Sequence, residues 1–342
     1  MTKKEEKVSL FLAQTAKTVD PVIRKLLSFY VGKKFQDIIE YQINTGGKRI
    51  RPALAIASAN LFGGKIKDVL YLAAGLEILH NYSLIIDDII DNSTLRRGKP
   101  TVWAKFGRSI AQCIGIDWGA AIFQAANRSL CPVKISEIFA KTLKILVEGE
   151  ISDVLFEQSG REDEPYIVKN RYRNVSEKNY LEMIGKKTAV LFQSCCEMGA
   201  ISAGAKEKQI KTLKSYGFNL GVAFQIKDDI LDIFGKEKKF GKEIGKDIRE
   251  GKMGNAVISF ACQEFSQKDK KEFSLIIRKN VISEKDIGRA IELIKKTKAE
   301  ERAISYGERF VKKAKVNLSL LPQNEWNESL ADICDLIMER GN

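Results

Sequence analysis

Apolar residues return along this chain every three or four positions, the period of a helix with one buried face. "PALAIASANLFGG" opens with Pro52 in a first-turn position and closes on Gly63, so a helix is expected there. Residues 69–91, 178–204, 207–234 and 284–316 carry the same period and are expected as further helices. No run alternates apolar and polar residues between turn signals as a hairpin would. The pattern predicts an all-α fold. Two stretches interrupt it and read as loops. Residues 157–176, "EQSGREDEPYIVKNRYRNVS", mix glycine, proline and charge, while residues 235–252, "GKEKKFGKEIGKDIREGK", hold four glycines and six lysines. There is no internal repeat and no low-complexity tract. A length of 342 residues accommodates either two domains or one large helical domain.

Two of these helices end against the pattern. "LIIDDIIDNSTLRRGKPTVW", Leu84 to Trp103, carries Asp87, Asp88 and Asp91 out of an apolar run and follows them with Arg96 and Arg97. "FQIKDDILDIFG" repeats the spacing with Asp228, Asp229 and Asp232, 141 residues further on. The first and last aspartates of each cluster are four apart, which puts their carboxylates on one face about 6 Å from each other. Such repulsion destabilises an isolated helix, so a plain solvated face suits neither apolar context. Oxygen donors without histidine or thiolate suit Mg²⁺, which keeps water and completes its shell with substrate phosphates.

Basic residues supply the complementary half. Arg96 and Arg97 present guanidinium forks suited to diphosphate oxygens. "GGKRIRP" places Lys48, Arg49 and Arg51 in a glycine-opened loop before a helix whose N-terminus also favours anions. Lys187 and Thr188 in "GKKTAVLF" add donors, as do Lys242 and Lys252 in the glycine- and lysine-rich loop, which reads as a mobile phosphate-binding lid. His80, the single histidine, lies seven residues before Asp87, two turns along nearly the same face. The set describes a site for two diphosphates, one held through Mg²⁺ and one directly by bases.

Composition narrows the picture. Hydrophobic residues make up 44% and charged residues 30% of the chain, as in globular proteins. No stretch approaches about 20 uninterrupted apolar residues, and the amino terminus has too short an apolar run for a secretory signal. A cytoplasmic protein without a transmembrane segment is expected. Cys113, Cys131, Cys195, Cys196, Cys262 and Cys334 show no CxxC spacing, which argues against zinc and for buried thiols in a reducing compartment. The net charge of +13 is spread along the chain and comes with no nucleic-acid motif, so a polyanionic small substrate explains it better.

In order, "GGKRIRP", "DDIIDNSTLRRG", "KTAVLF", "FQIKDDILD" and the "GK…GKD…EGK" loop resemble the trans-prenyltransferases, the head-to-tail isoprenyl diphosphate synthases. The resemblance is strong over residues 35–260. It implies one all-helical domain over 1–342, the isoprenoid synthase fold, around a deep central cleft and paired as a homodimer. It implies that Asp87, Asp91, Asp228 and their neighbours bind three Mg²⁺ around an allylic diphosphate. Arg96, Lys187, Thr188, Gln225, Lys242 and Lys252 match positions that contact that diphosphate, and Lys48, Arg51, His80 and Arg97 match those holding isopentenyl diphosphate. The implied reaction condenses isopentenyl diphosphate with dimethylallyl, geranyl or farnesyl diphosphate. Product length would be set below the metals, where Ser83 is small and Tyr82, five residues before Asp87, is the nearest bulky residue. That pairing resembles archaeal geranylgeranyl diphosphate synthases and favours a C20 product, with C15 and C25 as neighbours.

The chain departs from the family pattern in places. Ile86 and Trp103 stand where histidine is common, Glu150 takes the place of a frequent glutamine, "CIGIDWGA" alters a usual Gly-Asp segment, and the 157–176 loop is long. Class I terpene or squalene-type synthases also use aspartate-rich helices, but lack "GGKRIRP" and the paired arginines. A non-catalytic synthase subunit tends to lose one aspartate cluster, and here both are whole.

Overall fold

A computed structural model describes residues 3–235 and 244–339. Among the described residues the regular structure is helical apart from one two-residue ladder, Leu95–Arg96 against Lys99–Pro100, and a single bridge between Glu157 and Lys252. The helix expected from Pro52 runs over Ile50–Asn60, preceded by Arg49 in the left-handed region at φ 53°. The long apolar segment is the helix Ile66–Ile90, with Asp91 as its C-cap. Residues 207–234 form one helix, Glu207–Phe234, as the periodicity predicts.

Two expected helices are divided. The segment 178–204 forms Glu177–Ile184, a π-helical turn at Gly185–Ala189, and Val190–Ser202. Its start is fixed by a capping box between Ser176 and Asn179. The segment 284–316 splits into Glu284–Lys295 and Ala299–Ser319. The break follows from side-chain competition: the Thr297 hydroxyl accepts from the Ala299 amide at 3.2 Å, and the Lys298 amide donates to Glu264 at 2.8 Å. Apolar period alone cannot register either break, because the buried stripe continues across both.

The chain folds into two compact units. The first comprises the residues up to Lys144 with Val190–Asn219 and Lys313–Leu336. Its core is built from alanine-rich surfaces: Ala53, Ala55, Ala57 and Ala59 are buried in the helix Ile50–Asn60, which packs on Val190–Ser202. Gly199 is required there, because any Cβ would collide with the Ala55 carbonyl oxygen. Ile66–Ile90 packs on the helix Arg108–Asn127. Trp118 of that helix is fully buried and donates its indole N–H to the Ile39 carbonyl at 3.0 Å. Among the described residues Ile66–Ile90 is the one helix long and apolar enough to cross a membrane, and its residues from Leu72 to Leu79, with Val69, are buried in this core.

The second unit comprises Ile145–Ala189, Leu220–Lys312 and the residues from Ile337 onward. Phe156, Tyr180, Ile226, Val257, Phe273, Ile287 and Leu293 form its interior. Within it, Gly149 of the helix Pro132–Leu155 lies against the Lys187 backbone so closely that no side chain could stand in its place. That approach brings Glu150 and Asp153 to the Lys187 ammonium group.

Candidate active site

In the first unit the aspartates of the Ile66–Ile90 helix divide by exposure. Asp87 and Asp91 are half-buried, whereas Asp88 is fully buried. Arg96 donates from Nε and Nη2 to the Asp88 carboxylate at 2.7–2.9 Å and from Nη2 to Asp87 at 3.0 Å. Chain reversal makes this contact. Asn92 adopts φ 55° just past the helix, and Arg97 and Gly98, at φ 56° and 72°, form the two-residue corner of the short ladder. Positive φ at both corner residues is the tight-hairpin geometry, and its strands are too short to show alternation in the sequence. The corner turns Arg97 toward the glycine loop, where its Nη1 donates to the Gly46 carbonyl.

Around His80 the charge is strongly positive. Burial, and then Arg51, Arg97, Arg96 and Arg49, hold its pKa well below the ordinary histidine value, so the ring is neutral at neutral pH. Arg49 is itself buried and committed to Asp20 at 2.6 Å and Glu77 at 3.3 Å. Arg51 lies over the Phe192 ring, its guanidinium carbon 4.9 Å from the centroid. Lys48 is exposed on the loop before the helix. This neighbourhood of guanidinium groups and a neutral imidazole is suited to a multiply charged anion.

Further along the same helix, Tyr82 and Ile86 face the helix Arg108–Asn127 at Gly115 and Gly119. A Cβ on Gly115 would stand 3.7 Å from the Tyr82 ring, and one on Gly119 would stand 3.9 Å from it. The altered "CIGIDWGA" segment therefore provides the flat surface that the ring lies along. Ser83 turns its hydroxyl back to the His80 carbonyl at 2.8 Å.

In the second unit the other aspartates divide in the same way. Asp229 is buried and accepts from the Tyr180 hydroxyl at 2.6 Å, the Gln225 amide at 2.9 Å and the Ala256 backbone N–H at 2.8 Å. Asp232 accepts from the backbone N–H groups of Lys246 at 3.0 Å and Asp247 at 3.2 Å. Burial first, then the charge of Asp247, push the Asp229 carboxyl up to about 8. The same causes push Asp232 well above the usual carboxylate range. Asp228 is half-buried.

Lys187 is within 2.7 Å of Asp153 and 2.9 Å of Glu150. Lys252, which is buried, reaches the same Asp153 at 3.2 Å and Glu250 at 3.0 Å. The Thr188 hydroxyl and the Gln225 side-chain oxygen are joined at 2.7 Å. Lys242 lies outside the described residues.

The first unit thus gathers Asp87, Asp88, Asp91, Arg96, Arg97, His80, Arg51 and Lys48. The second gathers Asp228, Asp229, Asp232, Lys187, Thr188, Gln225 and Lys252. Sequence reasoning passed over Asp153, Asp247 and Tyr180. Asp153 carries a faint signal, three residues after Glu150 and so one turn along the same face. Asp247 is the aspartate of the quoted "GKD", though nothing in that motif points to Asp229, and Tyr180 carries no signal, since only the folded chain brings them there.

The donor set fits a hard divalent cation. Among the described residues no three ligating side chains converge into a ready-made metal cluster. Mg²⁺ does not require one, because it binds through one or two carboxylates and takes its other oxygens from phosphate and water. The raised carboxyls of Asp229 and Asp232 mark a local excess of buried negative charge that a cation would relieve.

A family model described as polyprenyl synthetase matches residues 32–294. The chain is 34% identical over 332 residues to a short chain isoprenyl diphosphate synthase of Methanothermobacter thermautotrophicus, covering 96% of this chain and 97% of that one. It is 38% identical over 270 residues to a geranylgeranyl diphosphate synthase of Saccharolobus solfataricus, covering 77% of each. Among solved structures, the polyprenyl synthase of Caulobacter crescentus, complexed with calcium and isoprenyl diphosphate, superimposes with a TM-score of 0.88. That match has 30% identity and covers 98% of both chains.

Proposed function

Because the chain belongs to the polyprenyl synthetase family, we propose that it condenses isopentenyl diphosphate head-to-tail with dimethylallyl, geranyl and farnesyl diphosphates, and that it stops mainly at the C20 product, geranylgeranyl diphosphate. The observation that carries the two-substrate reading is the pairing of two unlike anion-binding groups. One set of bases accompanies carboxylates, and the other surrounds a neutral histidine.

In this reading Asp87, Asp88, Asp91, Asp228, Asp229 and Asp232 hold three Mg²⁺, with Asp87, Asp91, Asp228 and Asp232 half-buried and so within reach of solvent. Bound Mg²⁺ supplies Lewis-acid neutralisation of the departing diphosphate. Arg96, Lys187, Thr188, Gln225, Lys242 and Lys252 bind the allylic diphosphate and stabilise the charge it gains as its carbon–oxygen bond breaks. Lys48, Arg51, His80 and Arg97 hold isopentenyl diphosphate. His80, being uncharged, contributes a hydrogen bond there without repelling its arginine neighbours. The isopentenyl double bond then attacks the allylic carbon, and a proton is lost to leave an allylic diphosphate one unit longer.

The C20 limit rests on Tyr82, whose ring lies along Gly115 and Gly119 beside the small Ser83. Labelled isopentenyl diphosphate offered with each allylic starter, followed by chain-length analysis, tests the whole reading. The native chain should give C20, and Tyr82→Ala should give longer chains at a cost of about 2–4 kcal/mol in stability. An unchanged profile from a folded, active Tyr82→Ala protein would assign the limit elsewhere.

A homodimer belongs to the same proposal. Ile110, Ile116 and Phe123 are 44%, 74% and 67% exposed along one side of the helix Arg108–Asn127, and Cys113 shares that side. An apolar stripe of this kind fits a second copy of the chain. The six cysteines are free thiols, but only Cys195, Cys196 and Cys334 are buried as expected; Cys113 and Cys131 are exposed and Cys262 is half-buried, because burial is set by the face each occupies and not by residue type.

A further inference from the structure

Glu150 holds one side of the Lys187 ammonium group at 2.9 Å, and Asp153 holds another at 2.7 Å. Both carboxylates are largely shielded, with side chains 13% and 8% exposed, and Asp153 is shared with the buried Lys252. Gly149 imposes the arrangement, since its missing side chain lets the Pro132–Leu155 helix lie directly on the Lys187 backbone. Lys187 therefore meets an incoming anion with its charge already answered by two carboxylates. One of them, Asp153, also serves Lys252 at 3.2 Å, while Glu150 lies on another side of the Lys187 contact.

We propose that Glu150 is a positioning residue that competes with the allylic diphosphate for Lys187 and so limits how tightly allylic diphosphates are retained. The inference rests on the reading that Lys187 binds the allylic rather than the isopentenyl diphosphate. A carboxylate within 3 Å of an ammonium group in a shielded site opposes the approach of a second anion, which must share or displace that contact. The consequence falls on the allylic side of the reaction, where substrate, intermediates and product all carry the diphosphate that Lys187 would grip. Weaker retention lets a finished chain leave, a step that limits turnover in many enzymes.

Glu150→Gln removes the charge while keeping the volume and an oxygen acceptor. Its effect is read by titrating the holoenzyme with Mg²⁺ and the thiolo analogue of geranyl diphosphate, and separately with isopentenyl diphosphate. E150Q should bind the geranyl analogue about three- to tenfold more tightly and leave isopentenyl diphosphate unchanged. Glu150→Ala should shift in the same direction. In a Lys187→Gln background the effect of E150Q should vanish, which a merely structural role for Glu150 would not produce. Geranyl analogue affinity that is unchanged or weaker in both variants overturns the proposal, and so does tightening that persists without Lys187. A native protein that turns over none of the substrates overturns the functional reading and this inference together. Normal turnover with an unshifted E150Q overturns this inference alone.

Discussion

Residues with the same name carry different physical duties in this protein. Asp88 is fully buried and answered by Arg96, while Asp87, next to it, is half-buried and touches the same arginine through one nitrogen. Asp88→Asn should therefore destabilise the fold, by about 3 kcal/mol, because it removes the buried charge that Arg96 meets through two nitrogens and leaves the guanidinium the lesser contact to Asp87. Asp87→Asn and Asp228→Asn should leave thermal unfolding nearly unchanged and lower turnover roughly 100-fold or more, since each removes charge from a metal position. Calorimetry beside steady-state rates separates the two outcomes. Near-normal turnover in either of the latter variants would remove those residues from the metal assignment. The aspartates were legible as a set from their spacing. Their division into a buried middle member and half-buried flanks was not, because it depends on Arg96 and Tyr180 arriving from other segments.

Among the elements, the apolar period located Ile66–Ile90 to within a few residues and Glu207–Phe234 without error, but did not single out Lys3–Ser28, Arg108–Asn127 or Pro132–Leu155. It failed where a side chain or a glycine, rather than the buried stripe, decides the backbone. The π-helical turn at Gly185–Ala189 sits where Gly149 allows two backbones to touch, and the break near Thr297 is made by a hydroxyl. The hairpin corner at Arg97 and Gly98 was invisible for a different reason: two-residue strands have no period to read. Gly149→Ala tests the importance of the close approach. Its methyl group must push the Lys187 backbone away, which should cost about 1–3 kcal/mol. Because Lys187 moves with that backbone, allylic affinity should fall more than isopentenyl affinity. Equal losses for both ligands would show that the turn does not position Lys187 selectively.

For the whole molecule, the family and the all-helical architecture followed from the ordered motifs, and the comparisons bear both out. The exposed stripe on Arg108–Asn127 did not follow from them, because an apolar residue in an amphipathic helix reads as core until the fold shows its exposure. If that stripe pairs two copies, Ile116→Glu with Phe123→Glu should convert the native species to a monomer in sedimentation velocity, with helical content retained. An unaltered oligomer would place the contact elsewhere, and a native monomer would dismiss the homodimer.

The sequence by itself determined which residue types are present and how they repeat: helical period, two clusters of oxygen donors at a fixed spacing, and bases in glycine-opened loops. These are local properties, set by covalent order and the geometry of a single helix. Only the tertiary structure decided what each charge meets. It neutralised His80 by burying it and then surrounding it with arginines, raised Asp229 by burying it near Asp247, and placed Glu150 against Lys187. The reason is that electrostatic energy depends on separation and solvent exposure, and both are fixed by contacts between segments far apart in the chain.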